Sequence, residues 1–200
     1  MTETKPATET KKALIVVDVQ NDFCEGGSLA VDGGAAVAQS ITDTVGLDRA
    51  GGAYDVIVAT KDWHEDPGEH WATGADAPNF VDTWPVHCGA DTPGAAFHEN
   101  LDIAIDELLL KGRSTASYTG FDGGAAADES VLLGAWLKER GITAVDVVGL
   151  ATDHCVRATA LDAKAEGFTT RVLLSHCAGV APDTTEAALE EMTGAGIELV

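Results

Sequence analysis

A chain of 200 residues is the size of one ordinary domain, and it can bury roughly 70% of its unfolded surface without disulfide or metal staples. With 12 Lys+Arg against 33 Asp+Glu, its formal net charge is −21 at pH 7, which repels phosphate backbones and anionic lipid and argues against nucleic-acid or membrane-surface roles. The longest apolar runs, at 13–17 and 108–110, fall far short of the roughly 20 residues a membrane span needs.

The polar segment 1–12 lacks the apolar stretch of a secretory signal. The expectation is a soluble, cytoplasmic protein with a short disordered tail over 1–12 and a single domain over 13–200. Without an export signal, Cys24, Cys88, Cys155 and Cys177 read as reduced thiols rather than a disulfide framework.

In chain order, the first apolar β-branched run, 13–19, reads as a strand carrying one carboxylate, Asp18, where burial makes ionisation costly unless a cation is near. Helical spacing follows at 34–49 and a second strand at 54–60. The next segment, 62–100, is rich in Pro and Gly and has little periodicity, and a loop that long points to function. It opens with Asp62-Trp63-His64, preceded by Lys61, and then carries His70 and Trp84-Pro85-Val86-His87-Cys88. Carboxylate and imidazole at i and i+2 of an extended chain point to the same side, so Asp62 and His64 can grip one ion. His87 and His70 would complete a mixed oxygen and nitrogen site suited to Zn(II), Fe(II) or Mn(II). Trp63 then faces away, into packing, and Cys88 diverges from its neighbour His87.

A third strand, 107–111, ends in Lys111, which either supplies the cation that Asp18 needs or snorkels to the surface as strand-end lysines commonly do. A helix at 129–140 leads to a fourth strand at 144–149, which exits through Gly149-Leu150-Ala151-Thr152-Asp153-His154-Cys155-Val156-Arg157 into a helix over 153–166. Thr152 or Asp153 reads as the N-cap, which places Cys155 in the first turn. There the helix N-terminus lowers a thiol's pKa and free N–H groups can hold an oxyanion. A Cys155–His154 dyad is argued against, since adjacent helical residues point about 100° apart. Asp18 is the better-placed base. A strand at 169–174, a helix at 183–192 and a last strand at 196–200 complete the chain. The alternation calls for a parallel sheet with helices on both faces and right-handed crossovers. Ligands then bind beyond the carboxyl ends of the strands.

Five segments together carry a resemblance to the nicotinamidases (pyrazinamidases) of the isochorismatase-like cysteine hydrolase superfamily. They are Val16-Val17-Asp18-Val19-Gln20-Asn21-Asp22-Phe23, Ala59-Thr60-Lys61-Asp62-Trp63-His64, Trp84-Pro85-Val86-His87-Cys88, Lys111-Gly112, and Gly149-Leu150-Ala151-Thr152-Asp153-His154-Cys155-Val156. The resemblance implies a three-layer, doubly wound six-stranded parallel sheet. It implies Cys155 as nucleophile, Asp18 as base and Lys111 as the third member of the catalytic set, with one divalent ion (Zn, Fe or Mn) on Asp62, His64 and His87, and His70 as a fourth ligand in some members. Phe23, Trp84 and Tyr118 match positions that line the ring pocket.

The implied reaction turns nicotinamide into nicotinate and ammonia, and by the same resemblance pyrazinamide into pyrazinoate. Its thioester intermediate forms with the backbone N–H groups of Ala151 and Cys155 as oxyanion hole, next to a cis Leu150–Ala151 peptide. The partner implied is a small molecule; self-assembly of the chain is left open. A related isochorismatase or carbamoyl amidase is the competing enzyme reading, which the Asp62, His64 and His87 set speaks against. A non-catalytic metal-binding descendant is the competing reading outside enzymes. Cys24, Cys177, His98 and His176 are expected to be structural.

Overall fold

The computed structural model of the chain describes residues 10–73 and 77–200, the side chains of 46–51 aside. Eight strands form one sheet: β1 (Lys11–Val17), β2 (Val56–Asp62), β3 (Glu107–Lys111), β4 (Gly124–Ala125), β5 (Asp128–Leu132), β6 (Ile142–Leu150), β7 (Thr169–Ala178) and β8 (Glu198–Leu199). The helices are α1 (Gly34–Gly51), α2 (Leu133–Glu139), α3 (Arg157–Ala165) and α4 (Pro182–Gly194). The order across the sheet is β5-β4-β3-β2-β1-β6-β7-β8.

The six expected strands are β1, β2, β3, β6, β7 and β8, and neighbours among them pair in parallel. The two additional strands pair antiparallel at the β3 edge. They are illegible as apolar runs because β4 has two residues and β5 is a largely exposed edge strand. Consequently the helix expected over 129–140 is corrected: its first four residues belong to β5, and α2 starts at Leu133. β1 starts at Lys11, two residues before the expected boundary at 13, while 1–9 of the expected tail lie outside the described residues.

β1 is central, and its side chains alternate between two cores as period-2 geometry requires. Leu14 and Val16 meet Val37, Ala38 and Ile41 of α1 on one face. Ala13, Ile15 and Val17 meet the face carrying Trp136 and Leu137 of α2, Ala160 and Ala163 of α3 and Met192 of α4. Both faces are covered, which explains the unbroken apolar runs.

The chain runs outward from β1 through β2 to β3, then returns to place β6 on the other side of β1. The order therefore reverses between β1 and β6, and the carboxyl ends of these strands open onto a crevice. The segment 62–100 folds over that crevice. It is pinned by isolated bridges between Gln20 and Phe97, His64 and Gly89, and Trp71 and Trp84. Among the described residues, no helix is long and apolar enough to cross a membrane.

Candidate active site

Four strand ends deliver the polar core. Asp18 is the first residue past β1 rather than inside it, held at a φ of 49°, and its N–H donates to the Thr60 carbonyl at 3.3 Å. Asp62 is the last residue of β2 and pairs in register with Lys111, the last of β3. β6 passes close to the end of β1 because residue 149 is glycine. Its φ is +118°, and a Cβ there would stand 2.1 Å from the Val17 carbonyl oxygen. The expected cis peptide, Leu150–Ala151, follows.

Cys155 sits in a π-helical turn, Thr152–Val156, ahead of α3. The expected N-cap is corrected here: neither Thr152 nor Asp153 caps this turn, which has no side-chain cap. Asp153 reaches the other way. Its carboxylate accepts from the N–H groups of Val180 (2.9 Å) and Ala181 (3.3 Å) and from the Thr184 hydroxyl (2.5 Å), tying the Cys155 turn to the start of α4.

Lys111 is the hub. It is 1% exposed, so its ammonium needs counter-charges. Its Nζ lies 2.9 Å from Asp18 Oδ2 and 3.5 Å from Cys155 Sγ, and it donates to Asp62 Oδ1 and to the Ser117 carbonyl at 3.2 Å. Burial alone would pull the lysine down, but Asp18, Asp62 and Cys155 together hold it well above its ordinary range. The two carboxylates diverge. For both, burial is the largest influence; in Asp18 it prevails and raises the carboxyl, while in Asp62 Lys111 and His64 overcome it and hold the carboxyl low. The Cys155 thiol is pushed well up by burial, against the pull of Lys111. This corrects the expectation of a thiol acidified by its helix terminus: in the folded protein it needs a base. An Asp18 oxygen lies within 4.8 Å of Cys155 Sγ, as does an Asp62 oxygen.

A second cluster adjoins the first through Asp62. Its Oδ2 is 3.7 Å from His64 Nε2 and 3.9 Å from His87 Nε2. His64, His70 and His87 each aim a ring nitrogen into one volume, all within 4.8 Å of one another. Backbone carbonyls set two of these rings: His64 Nδ1 donates to Gly112 O (2.5 Å) and His87 Nδ1 to Pro85 O (2.7 Å). Both Nε2 atoms are thereby left as lone pairs. Gly112 permits the close approach, since a Cβ there would be 2.6 Å from His64 Cε1. Two of the donors, His64 Nε2 and His70 Nδ1, are buried without a hydrogen-bond partner. Burial, with His87 and His64, pushes His70 down to about 4, and burial also lowers His87. Ring nitrogens without hydrogen-bond partners beside a carboxylate held low by Lys111 are the donor set of a divalent transition metal, so these residues fit one.

Both clusters face one cavity. Cys155 and Ala151 form part of its wall, and Phe23, Trp84 and Tyr118 another part, with Asp62, His70 and His87 at the end where the imidazoles converge. Trp84 Nε1 donates to Tyr118 Oη at 3.0 Å, fixing two of the rings, and Phe23 packs 5.6 Å from His87. Asp18 and Lys111 lie behind Cys155, out of solvent reach. As expected, Trp63 packs away, and His154 makes no dyad. Its ring stands 5.2 Å from Trp84 and 6.0 Å from Tyr118, and lines the cavity with Val180.

His98 and His176 bond elsewhere, to the Asn100 N–H and the Ser40 hydroxyl. Cys24 and Cys177 are pushed up to about 12 by burial and stay off the cavity.

Sequence reasoning missed the residues that brace this set. The Gln20 amide donates to the carbonyls of Asp62 (2.8 Å) and Ala95 (3.1 Å) and accepts from the Asp62 N–H (2.9 Å). Asp22 accepts from the Cys88 N–H at 2.7 Å, next to His87. Thr60 donates to Asp18. Gln20 and Asp22 stand in the quoted motifs, but their partners are set by the fold of segment 62–100, which has no periodic signal.

The chain is 53% identical to the nicotinamidase/pyrazinamidase of Mycobacterium tuberculosis over 190 residues, covering 94% of this chain and 98% of that protein. The pyrazinamidase of Pyrococcus horikoshii, solved in complex with zinc, superposes with a TM-score of 0.77 at 36% identity, covering 95% of this chain and 98% of that one. A protein of L. infantum solved in complex with nicotinate gives 0.76 at 32% identity, with 96% and 92% covered. The model of the isochorismatase domain matches residues 12–200, and the chain belongs to the isochorismatase family.

Proposed function

We propose that this chain is a nicotinamidase: it hydrolyses nicotinamide to nicotinate and ammonia, and pyrazinamide in the same way, with Cys155 as nucleophile. The observation that carries this reading is Lys111, which joins a buried Asp18–Cys155 pair to the Asp62 and histidine cluster at one aromatic-walled cavity. Likeness to proteins named for this activity supports it over the whole domain.

The chemistry follows from the environments. Asp18, with its carboxyl raised, takes the proton from Cys155 Sγ, and the new thiolate is steadied by Lys111 at 3.5 Å. Sulfur attacks the carboxamide carbon, while the N–H groups of Ala151 and Cys155 take the oxyanion. Asp18 passes its proton to the amide nitrogen, the C–N bond breaks and ammonia departs, leaving a thioester. Asp18 then accepts a proton from the attacking water. The C–S bond breaks, and the returned proton restores the thiol. Phe23, Trp84 and Tyr118 hold the aromatic ring of the substrate. Asp62, His64, His70 and His87 would hold one divalent ion, Zn, Fe or Mn, which supplies Lewis acidity at the end of the cavity.

Ammonia release from nicotinamide, pyrazinamide and a carbamoylated amine, alongside pyruvate release from an isochorismate, tests the reading. Turnover of the two amides that is lost on chelation is the expected result. Turnover of either other substrate in their place would assign a different hydrolase of the family.

A further inference from the structure

Thr60 is a buried hydroxyl that follows the apolar run Val56-Ile57-Val58-Ala59 of β2 (Val56–Asp62), and its Oγ1 lies 2.6 Å from Asp18 Oδ1. Both side chains are fully buried. A threonine hydroxyl has one proton, and an ionised carboxylate only accepts, so Thr60 must donate. Its methyl group faces Gly120, where an added Cβ would stand 2.9 Å from it. Asp18 Oδ2 is left facing Lys111 Nζ at 2.9 Å, with no other hydrogen-bond partner among the described residues.

We infer that Thr60 is a positioning residue that gives the two oxygens of Asp18 different tasks, reserving Oδ1 for its own permanent hydrogen bond and Oδ2 for the travelling proton. When Asp18 is ionised, both oxygens accept; when it has taken the thiol proton, only one carries hydrogen. Because Thr60 keeps donating to Oδ1 in both states, the proton resides on Oδ2, beside Lys111. From there it returns to the leaving nitrogen without rotation of the carboxyl. Thr60 touches neither the substrate cavity nor the sulfur, so its effect is on the chemical step and not on binding. The inference rests on the reading of Asp18 as proton carrier.

The test compares kcat and KM for nicotinamide in Thr60→Val, which keeps the shape and removes the donor, and in Thr60→Ser, which keeps the donor and removes the methyl. Loss of a hydrogen bond to a charged group should lower kcat roughly 10- to 100-fold in Thr60→Val, with KM within about a factor of two. Thr60→Ser should recover most of that loss. Thr60→Ala against Thr60→Ser reads the same hydroxyl if the valine variant does not fold. Equal kcat in the variants with and without the hydroxyl would overturn the inference, and so would a loss expressed in KM or one shared by Thr60→Ser. Failure of the underlying reading shows separately, as full activity in Asp18→Asn.

Discussion

Two carboxylates share one buried lysine and are pushed in opposite directions, and that divergence divides their work. In the proposed reading, Asp62, held low by Lys111 and His64 against its burial, serves as a ligand to a cation, and Asp18, raised by burial, carries the proton. Asp18→Asn removes the acceptor at constant shape and leaves Lys111 short of a counter-charge, so steady-state turnover should fall about 10²-fold or more, with some loss of stability. Cys155→Ala should fold yet lose essentially all turnover, whereas Cys24→Ser and Cys177→Ser, whose thiols lie off the cavity, should stay active. Substantial turnover in Cys155→Ala would remove that thiol from the chemistry. Asp18 and Lys111 were legible as polar residues at the ends of apolar strands, and Cys155 as a cysteine in the turn that leads from a strand into a helix. Thr60 was not: β-branched and fully compatible with strand packing, it acquires meaning only once β1 and β2 are set side by side.

At the level of elements, the six parallel strands and four helices could be read from apolar runs and helical spacing, while β4 and β5 could not, being short or exposed. Asp153 shows a different kind of illegibility. It sits where an N-cap is expected, yet its partners are the start of α4, 27 and 28 residues away, a contact that helix-start rules do not contain. The brace at Gln20 belongs here too, since it holds the end of β2 against segment 62–100 through one amide. Gln20→Ala should weaken metal affinity by about 10-fold, measured as bound metal against a competing chelator, because residues supporting ligands cost about 10–100-fold when removed. Unchanged affinity would show that Asp62 is held without it.

In the middle of the sheet, Asp146 on β6 accepts two hydrogen bonds from Arg171 on β7 at 2.7 Å each and one from Tyr54 at 2.9 Å. Burial raises its carboxyl, but these partners and Lys12 outweigh burial and lower it below the ordinary 3.8. A lowered folded pKa gives stability that is present above the unfolded value and lost as pH falls through the folded one. Asp146→Asn should therefore lower Tm at neutral pH and flatten the decline of Tm below about pH 4. An unchanged acid limb would assign the decline to other carboxylates.

Over the whole molecule, the switch between β1 and β6 collects the two clusters at one crevice, and segment 62–100 closes over it. Metal bound only by the folded chain stabilises it, so stripping divalent ions should abolish most turnover and lower Tm by about 5–10 °C, both recovered with added Zn(II), Fe(II) or Mn(II). An unshifted Tm would mean that His64, His70 and His87 hold no ion. The central claim is covalent hydrolysis through Cys155, and acid-quenched peptide mass spectrometry of the metal-loaded enzyme turning over nicotinamide addresses it most directly. The account predicts a nicotinoyl thioester on the peptide containing Cys155 that vanishes once nicotinamide is spent. Steady turnover with no acyl group on any peptide, or with the acyl group on Cys24, Cys88 or Cys177, would contradict it.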